Sequence, residues 1–251
     1  MKRTDVLGGF SKGLATIEAF TDVTDRLSIT DVARVTGRDR ATARRCLLTL
    51  VDGGYASFDG KFFTLTPKIL RLGYSYLASA RLPTLVQPFL DRLMTETDQP
   101  ASSGVLDGHH VVHVARASQR RVMTANLSPG SRIPAYCSAM GRVLLSAMPD
   151  ERAEALITEM DRRKLTEITL TDVGQLMDQV RLTRERGYGA VDQEFEIGLC
   201  ALAVPVRDPR GRVIAALNIG AQAYIKSMER MIELHLDLMY RVRDSLQEII
   251  P

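Results

Sequence analysis

Through the first third of the chain, apolar residues return at helical spacing, broken by short polar turns. Ser11 to Phe20 predicts a first helix with Leu14, Ile17 and Ala15 inward. Leu27 to Gly37 predicts a short second helix. Thr30 or Ser28 can cap its exposed amides, Asp31 suits its first turn, and Gly37 can leave it with positive φ. A third helix follows at once over Arg38–Thr49. Ala43, Cys46, Leu47 and Leu50 share one face of its wheel, and Arg38, Thr42, Arg45 and Thr49 lie opposite, flanked by Arg40 and Arg44. The small Ala33 stands where the second and third helices must approach closely. After Gly53 the pattern changes: Asp59-Gly60 between two β-prone runs predicts a two-residue hairpin over residues 55–66. Thr66-Pro67, as N-cap and first position, opens a helix to about Leu82 that carries Ile69, Leu70, Leu72, Tyr76 and Leu77. Pro83 and Pro88 mark a boundary after it.

From there helices and strands mix. Helices are expected over Thr84–Asp98, Ser138–Ala147, Glu151–Met160, Asp172–Arg186 and Met228–Ile249. Strands are expected over Ser102–Leu106, His110–Ala117, Val122–Asn126, Tyr188–Asp192, Cys200–Arg207 and Val213–Gly220. Asp107-Gly108 and Asp208-Pro-Arg-Gly211 supply turns. This order predicts an α+β fold, an antiparallel sheet with helices packed on it. Met228, Ile232, Met239, Val242, Leu246 and Ile249 give the last helix an apolar face suited to core or to a subunit interface.

Charge sharpens the division. Residues 1–81 hold 13 Lys/Arg against 8 Asp/Glu, net +5, and residues 82–251 hold 20 against 22, net −2. A basic N-terminal third beside a near-neutral remainder fits an electrostatic footprint on a polyanion. Helix, helix-turn-helix and hairpin wing in that order point to double-stranded DNA. Arg38, Thr42 and Arg45 are the base-reading candidates. Ser28, Thr30, Arg40, Arg44 and Lys61 are the phosphate candidates. Three separated cysteines, Cys46, Cys137 and Cys200, imply neither a disulfide framework nor a metal site. No apolar run suggests a signal peptide or a membrane span, so a cytoplasmic protein with no membrane role is expected.

Several stretches resemble the IclR family of bacterial transcriptional regulators, over essentially the whole chain. They are Ser28-Ile-Thr-Asp-Val-Ala-Arg-Val-Thr-Gly37, Ala41-Thr-Ala-Arg-Arg45, Pro134-Ala-Tyr-Cys-Ser-Ala-Met-Gly-Arg-Val-Leu-Leu145, Gly187-Tyr188, Asp192-Gln-Glu-Phe-Glu-Ile-Gly-Leu199 and Ala203-Val-Pro-Val-Arg-Asp208. The Ala-Tyr-Cys-Ser-Ala-Met-Gly-Arg run most resembles the subgroup controlling aromatic-acid catabolism through protocatechuate and the β-ketoadipate pathway. The resemblance implies a winged helix-turn-helix domain over 1–66 (helix-turn-helix about 28–47, wing 55–66) and a linker helix over 67–82, whose position between the domains makes it the expected coupler. It further implies a GAF-like effector-binding and oligomerisation domain over 83–251, supporting a homodimer or a tetramer built as a dimer of dimers.

The resemblance also places a small organic acid between Ala139-Met140 and the sheet carrying Leu199, Ala201, Asn218 and Gly220, with Asp192 beside an expected acidic position. The residues themselves agree in part. Ser138 can cap a helix whose free amides attract a carboxylate, Ala139 and Gly141 are small enough for close approach, Asn218 is a polar group on an apolar strand, and Arg142 can neutralise an acid. The same residues also suit a capped helix packed on a sheet with Asn218 bonded internally. Ala201, Val191, Asn218 and Gly220 depart from the better-known carboxylate-binding members. They disfavour a small keto-acid and leave an aromatic acid or a longer dicarboxylate open.

Two other readings compete. His109, His110 and His113 tempt a metal site, yet on a strand His109 and His113 sit roughly 13 Å apart and His110 points the other way. An enzyme would need Cys137 or Cys200 arranged with Asp192, Glu194 or Glu196, but no nucleophile elbow or phosphate loop accompanies them. No catalytic residue, metal or cofactor is therefore expected.

Overall fold

The computed structural model describes residues 6–20, 24–73, 81–118, 127–225 and 227–251. They form two compact units, Met1–Ser79 and Ala80–Pro251. No helix among the described residues is long and apolar enough to cross a membrane.

The first unit runs α1 (Gly8–Glu18), β1 (Arg26–Leu27), α2 (Ile29–Thr36), α3 (Arg40–Asp52), β2 (Ala56–Phe58) and β3 (Phe63–Leu65), with the strands in antiparallel order β1-β3-β2. Helix α2 starts where it does because of a reciprocal cap. The Ser28 hydroxyl accepts the Asp31 amide at 3.3 Å, and the Asp31 carboxylate accepts the Ser28 amide at 3.0 Å. It stops at Gly37, whose φ of +64° suits a residue without a side chain. Leu27, Val32, Ala33, Ala43, Leu47 and Phe63 make the core. Three expectations change. Leu14 is 43% exposed, and the buried face of α1 is instead Thr16 and Ala19, small residues that let the helix come close to α3. The hairpin loop has four residues, because Phe58 pairs with Phe63 and the Asp59 carboxylate accepts the amides of Lys61 at 2.9 Å and Phe62 at 2.7 Å. Thr66 does not cap: its hydroxyl donates to the Gly54 carbonyl at 2.6 Å, and Pro67–Ile69 is a 3₁₀ turn leading into helical residues 70–73. The rest of the expected linker helix through residue 80, with Tyr76 and Leu77, lies outside the described residues.

The second unit runs α4 (Arg81–Thr97), β4 (Ala101–Asp107), β5 (His110–Ala117), β6 (Arg132–Pro134), α5 (Ala139–Ser146), α6 (Asp150–Glu159), α7 (Val173–Arg186), β7 (Gly189–Asp192), β8 (Leu199–Arg207), β9 (Val213–Gln222) and α8 (Met228–Gln247). Its six strands form one antiparallel sheet in the order β6-β5-β4-β9-β8-β7. Pro83 and Pro88 lie within α4 rather than bounding it. Strand β6 carries no strong pattern and was not expected; the strand expected over Val122–Asn126 lies outside the described residues.

Both faces of this sheet are covered, so successive residues of β8 and β9 feed different cores. Cys200, Leu202, Val204 and Val206, with Ala215, Leu217, Ile219 and Ala221, pack on α4 and α8. Ala201, Ala203 and Ala216 face α5, outside which α6 and α7 stack. Helix α8 is therefore core: Met231, Met239, Val242 and Leu246 are fully buried, although Ile249 is half exposed beyond its end. Helix α5 lies unusually close to its surroundings. A Cβ on Gly141 would sit 2.0 Å from the Ala135 carbonyl oxygen, and one on Gly189 would sit 2.5 Å from the Ala139 carbonyl oxygen. Gly141→Ala should therefore destabilise the second unit by at least about 3 kcal/mol, since backbone and not a flexible side chain must move. Urea denaturation followed at that unit checks this; a loss within a few tenths of a kcal/mol would show that α5 has room to shift.

Candidate functional sites: a basic helix surface and an enclosed pocket

Helix α3 presents Arg40, Arg44 and Arg45 to solvent, with Arg38 exposed in the turn before it. None of the four makes an ion pair among the described residues, although fourteen ion pairs occur elsewhere. Guanidinium forks left open on one helical face are free to meet phosphates or guanine edges. Arg38 precedes the helix because Asp39, not an arginine, is the N-cap. Its carboxylate accepts the Thr42 amide at 2.8 Å and the Thr42 hydroxyl at 2.7 Å, and these bonds hold the Asp39 carboxyl below its usual range. Thr42, a base-reading candidate, is only 6% exposed and its hydroxyl is committed to that cap. Ser28, a phosphate candidate, is likewise committed: its hydroxyl donates to Asp31 at 2.6 Å. Thr30 and Lys61 remain exposed, and the Lys61 ammonium lies 5.0 Å from the centre of the Phe62 ring at the wing tip.

The second unit encloses a pocket of about 610 Å³ of atom-free space, its mouth included. Ala139, Met140, Leu199, Ala201, Asn218 and Gly220, where the resemblance places an effector, line it. Gly141, Arg142 and Asp192 do not. Gly141 is turned onto the Ala135 backbone. Arg142 is 3% exposed and reaches under α5 to Glu194, Nη2 to Oε1 at 2.5 Å, with Nη1 donating to the Ala190 carbonyl at 2.9 Å. Asp192 is exposed at the end of β7, where it accepts the Cys200 thiol at 2.9 Å.

The walls are otherwise Pro100, Leu127, Ile133, Cys137, Ser138, Val191 and Phe195, with two polar groups that sequence reasoning missed, His113 and Arg116. On a regular strand residues three apart face opposite ways. Here the register slips: Ser102 pairs with Arg116, but Gly104 pairs with His113, so Val114 is an extra residue and His113 and Arg116 share the pocket face. The one legible signal was a histidine and an arginine within an apolar strand run. Arg116 is half buried, makes no ion pair among the described residues, and is the cation of the lining. His113 is 1% exposed, and neither ring nitrogen has a hydrogen-bond partner among the described residues. Burial first, and the nearby Arg116 charge second, push its pKa down to about 4. The Asn218 amide donates to the Ser102 hydroxyl at a long 3.5 Å, and Ser138 caps α5 by accepting the Gly141 amide at 3.2 Å.

The competing arrangements do not assemble. His109 sits in the β4–β5 turn, 3.6 Å from Glu159, while His113 is in the pocket, and no group of three His, Cys, Asp or Glu able to hold a metal occurs among the described residues. Cys137 and Cys200 belong to cores on opposite faces of the sheet. Burial, with the Glu194 charge adding to it, pushes the Cys137 thiol up to about 12, far from a reactive thiolate. Glu194 is held by Arg142 and by the Leu170 amide at 3.3 Å.

Comparison with known proteins gives a consistent picture. The model of the IclR helix-turn-helix domain matches residues 10–60, and that of the bacterial transcriptional regulator IclR C-terminal domain matches residues 74–244. The chain is 40% identical over 216 residues to the Pca regulon regulatory protein of Pseudomonas putida, covering 86% of this chain and 74% of that one. It is 36% identical over 255 residues to the p-hydroxybenzoate hydroxylase transcriptional activator of Acinetobacter baylyi, covering 100% of this chain and 94% of that one. It also resembles a crystallised double mutant of the PobR inducer-binding domain from Acinetobacter in complex with 3-hydroxybenzoic acid, with a TM-score of 0.65 and 32% identity over 68% of this chain and all of that one.

Two outcomes follow from the buried ionisable groups. Glu194→Leu leaves Arg142 buried without its counter-charge and should cost about 3–5 kcal/mol, while the double variant Arg142→Met/Glu194→Leu should cost clearly less. Chemical denaturation of both checks this; equal losses would mean that packing, not charge, dominates there. His113 is held below its ordinary 6.5, so the unfolded chain takes up a proton that the folded chain refuses between about pH 6.5 and 4. Its contribution is fully present above pH 6.5 and should fall by up to about 3 kcal/mol as pH drops to 4. Melts at pH 7, 5 and 4 should show a smaller acid loss for His113→Phe than for the unaltered chain.

Proposed function

Because the chain belongs to the IclR family of bacterial transcriptional regulators, we propose that it binds operator DNA through α2, α3 and the wing, and that an aromatic acid in the pocket of the second unit changes that binding. The family consists of regulators, not enzymes, and the p-hydroxybenzoate hydroxylase activator, alongside the Pca regulon regulator, supports aromatic catabolism as the field of action. The observation that carries the effector half is Arg116. A half-buried guanidinium without an acidic partner among the described residues, in a mostly apolar pocket, suits the carboxylate of a flat acid. The capped N-terminus of α5, lined by Ser138, Ala139 and Met140, adds partial positive charge.

On the DNA side Arg45 and Arg38 are the base readers, and Thr30, Arg40, Arg44 and Lys61 meet phosphates. A homodimer sets two α3 helices in successive major grooves of a near-palindromic site, half-sites about one helical turn apart, and a dimer of dimers extends this. The protein acts in the cytoplasm, where its operator lies.

Fluorescence anisotropy with operator DNA tests the reading. Arg45→Ala should weaken specific binding by about 1–3 kcal/mol and relax one base position, leaving non-specific affinity nearly unchanged. An equal loss on every sequence would move Arg45 to the phosphate set. Adding 4-hydroxybenzoate should shift the binding curve of the unaltered protein. Arg116→Gln should abolish that shift and leave ligand-free DNA binding intact.

A further inference from the structure

We infer that His113 recognises a hydroxyl group on the effector, so that the pocket selects a hydroxylated monocarboxylic acid over a dicarboxylic acid and over the same acid without its hydroxyl. The inference rests on the reading of the pocket as the effector site and adds to it the chemistry of the ligand's second polar group.

The geometry carries it. His113 is the one pocket residue that is both almost wholly buried and without a partner at either ring nitrogen among the described residues. Two unmet polar atoms in an apolar wall are costly unless something bonds them. The strand bulge at Val114 turns this ring onto the pocket face, where a regular strand carrying Arg116 inward would turn it away. A bulge that brings two polar side chains of one strand into one apolar cavity builds a site with two polar anchors.

The chemistry of the anchors differs. Arg116 is the only cation of the lining among the described residues and can balance one carboxylate. His113 stays neutral in this setting, so it offers one N–H donor and one lone pair. A hydroxyl, itself both donor and acceptor, matches either nitrogen. Among the described lining residues a second carboxylate would meet no second guanidinium or ammonium, and its desolvation would be poorly compensated. The apolar remainder, including Phe195, Leu127 and Ile133, accepts the carbon frame between the two groups.

Isothermal titration calorimetry on the full-length protein tests this with benzoate, 4-hydroxybenzoate, 3,4-dihydroxybenzoate and adipate. The unaltered protein should bind one or both hydroxybenzoates roughly tenfold to a hundredfold more tightly than benzoate, and adipate more weakly than any of them. His113→Phe keeps a ring of similar shape without the nitrogens. It should bring the hydroxybenzoate-to-benzoate ratio close to one while benzoate still binds. The comparison of ligands on the unaltered protein does not depend on the variant folding, and His113→Gln, which retains hydrogen-bonding capacity, should keep part of the preference. Equal affinity for benzoate and both hydroxybenzoates, a preference that survives His113→Phe, or tighter binding of adipate would each overturn the role of His113 while leaving the pocket an acid-binding site. No binding of any of the four acids would overturn the effector-site reading itself, and this inference with it.

Discussion

The second unit is organised by a buried ion pair. Arg142 projects from α5, bonds the Ala190 carbonyl of β7, and ends on Glu194 in the loop between β7 and β8. That loop is in turn held by Thr166 and Thr169, whose hydroxyls donate to the Gln193 and Glu194 carbonyls at 2.9 and 2.6 Å. Helix, sheet edge and a long connection thus meet on one pair of charges almost wholly out of water. Such a pair contributes little by replacing an apolar contact, but it defines geometry, because few arrangements satisfy both charges at once. With Gly141 and Gly189 removing the side chains that would hold α5 away, the pair sets where the N-terminus of that helix stands, and hence one wall of the pocket.

This clarifies the division of labour between two arginines of the unit. Arg142 belongs to the family-like run and reads as the natural partner of an acid, yet its charge is used internally. Arg116 lies in a strand with no motif around it and is the one that faces the cavity. With the internal pair closed, Arg116 is the one cation open to the pocket among the described residues, which gives it a definite charge appetite. A binding site lined by both arginines without Glu194 would hold two positive charges and attract a different class of ligand.

Much of the architecture was readable from periodicity. The order of the helices and of most strands, a capped start of α2 at Ser28 or Thr30, the departure at Gly37 and the inward set Ala43, Leu47 and Leu50 all follow from local spacing and cap chemistry. That the cap is Ser28 and is reciprocal with Asp31 came from the structure. The pocket positions on β8 and β9 came from the family resemblance; the unbroken period of two is what keeps Ala201, Asn218 and Gly220 together on the face of Ala216. What was not readable depended on events that local spacing does not encode. The bulge at Val114 inverts the parity of β5, so no alternation rule joins His113 to Arg116. The pairing of Arg142 with Glu194 spans 52 residues. Thr42 looked available because a wheel shows direction, not the Asp39 carboxylate waiting at the helix end. Leu14 looked buried because size suggested it, whereas close packing on α3 favoured the smaller Thr16 and Ala19.

The caps of α2 and α3 have an evolutionary reach. Both helices are started by residue pairs, Ser28 with Asp31 and Asp39 with Thr42, that satisfy their own polar groups. The exposed arginines hang outside this frame and make no ion pair among the described residues. Exchanging one of them is then close to neutral for folding, within about half a kcal/mol for an ordinary surface position. Preference for a new operator can be explored one arginine at a time in a gene duplicate, without passing through unstable intermediates. The same freedom is denied to Asp39 and Thr42, so lineages reading different DNA should diverge around that pair and not through it.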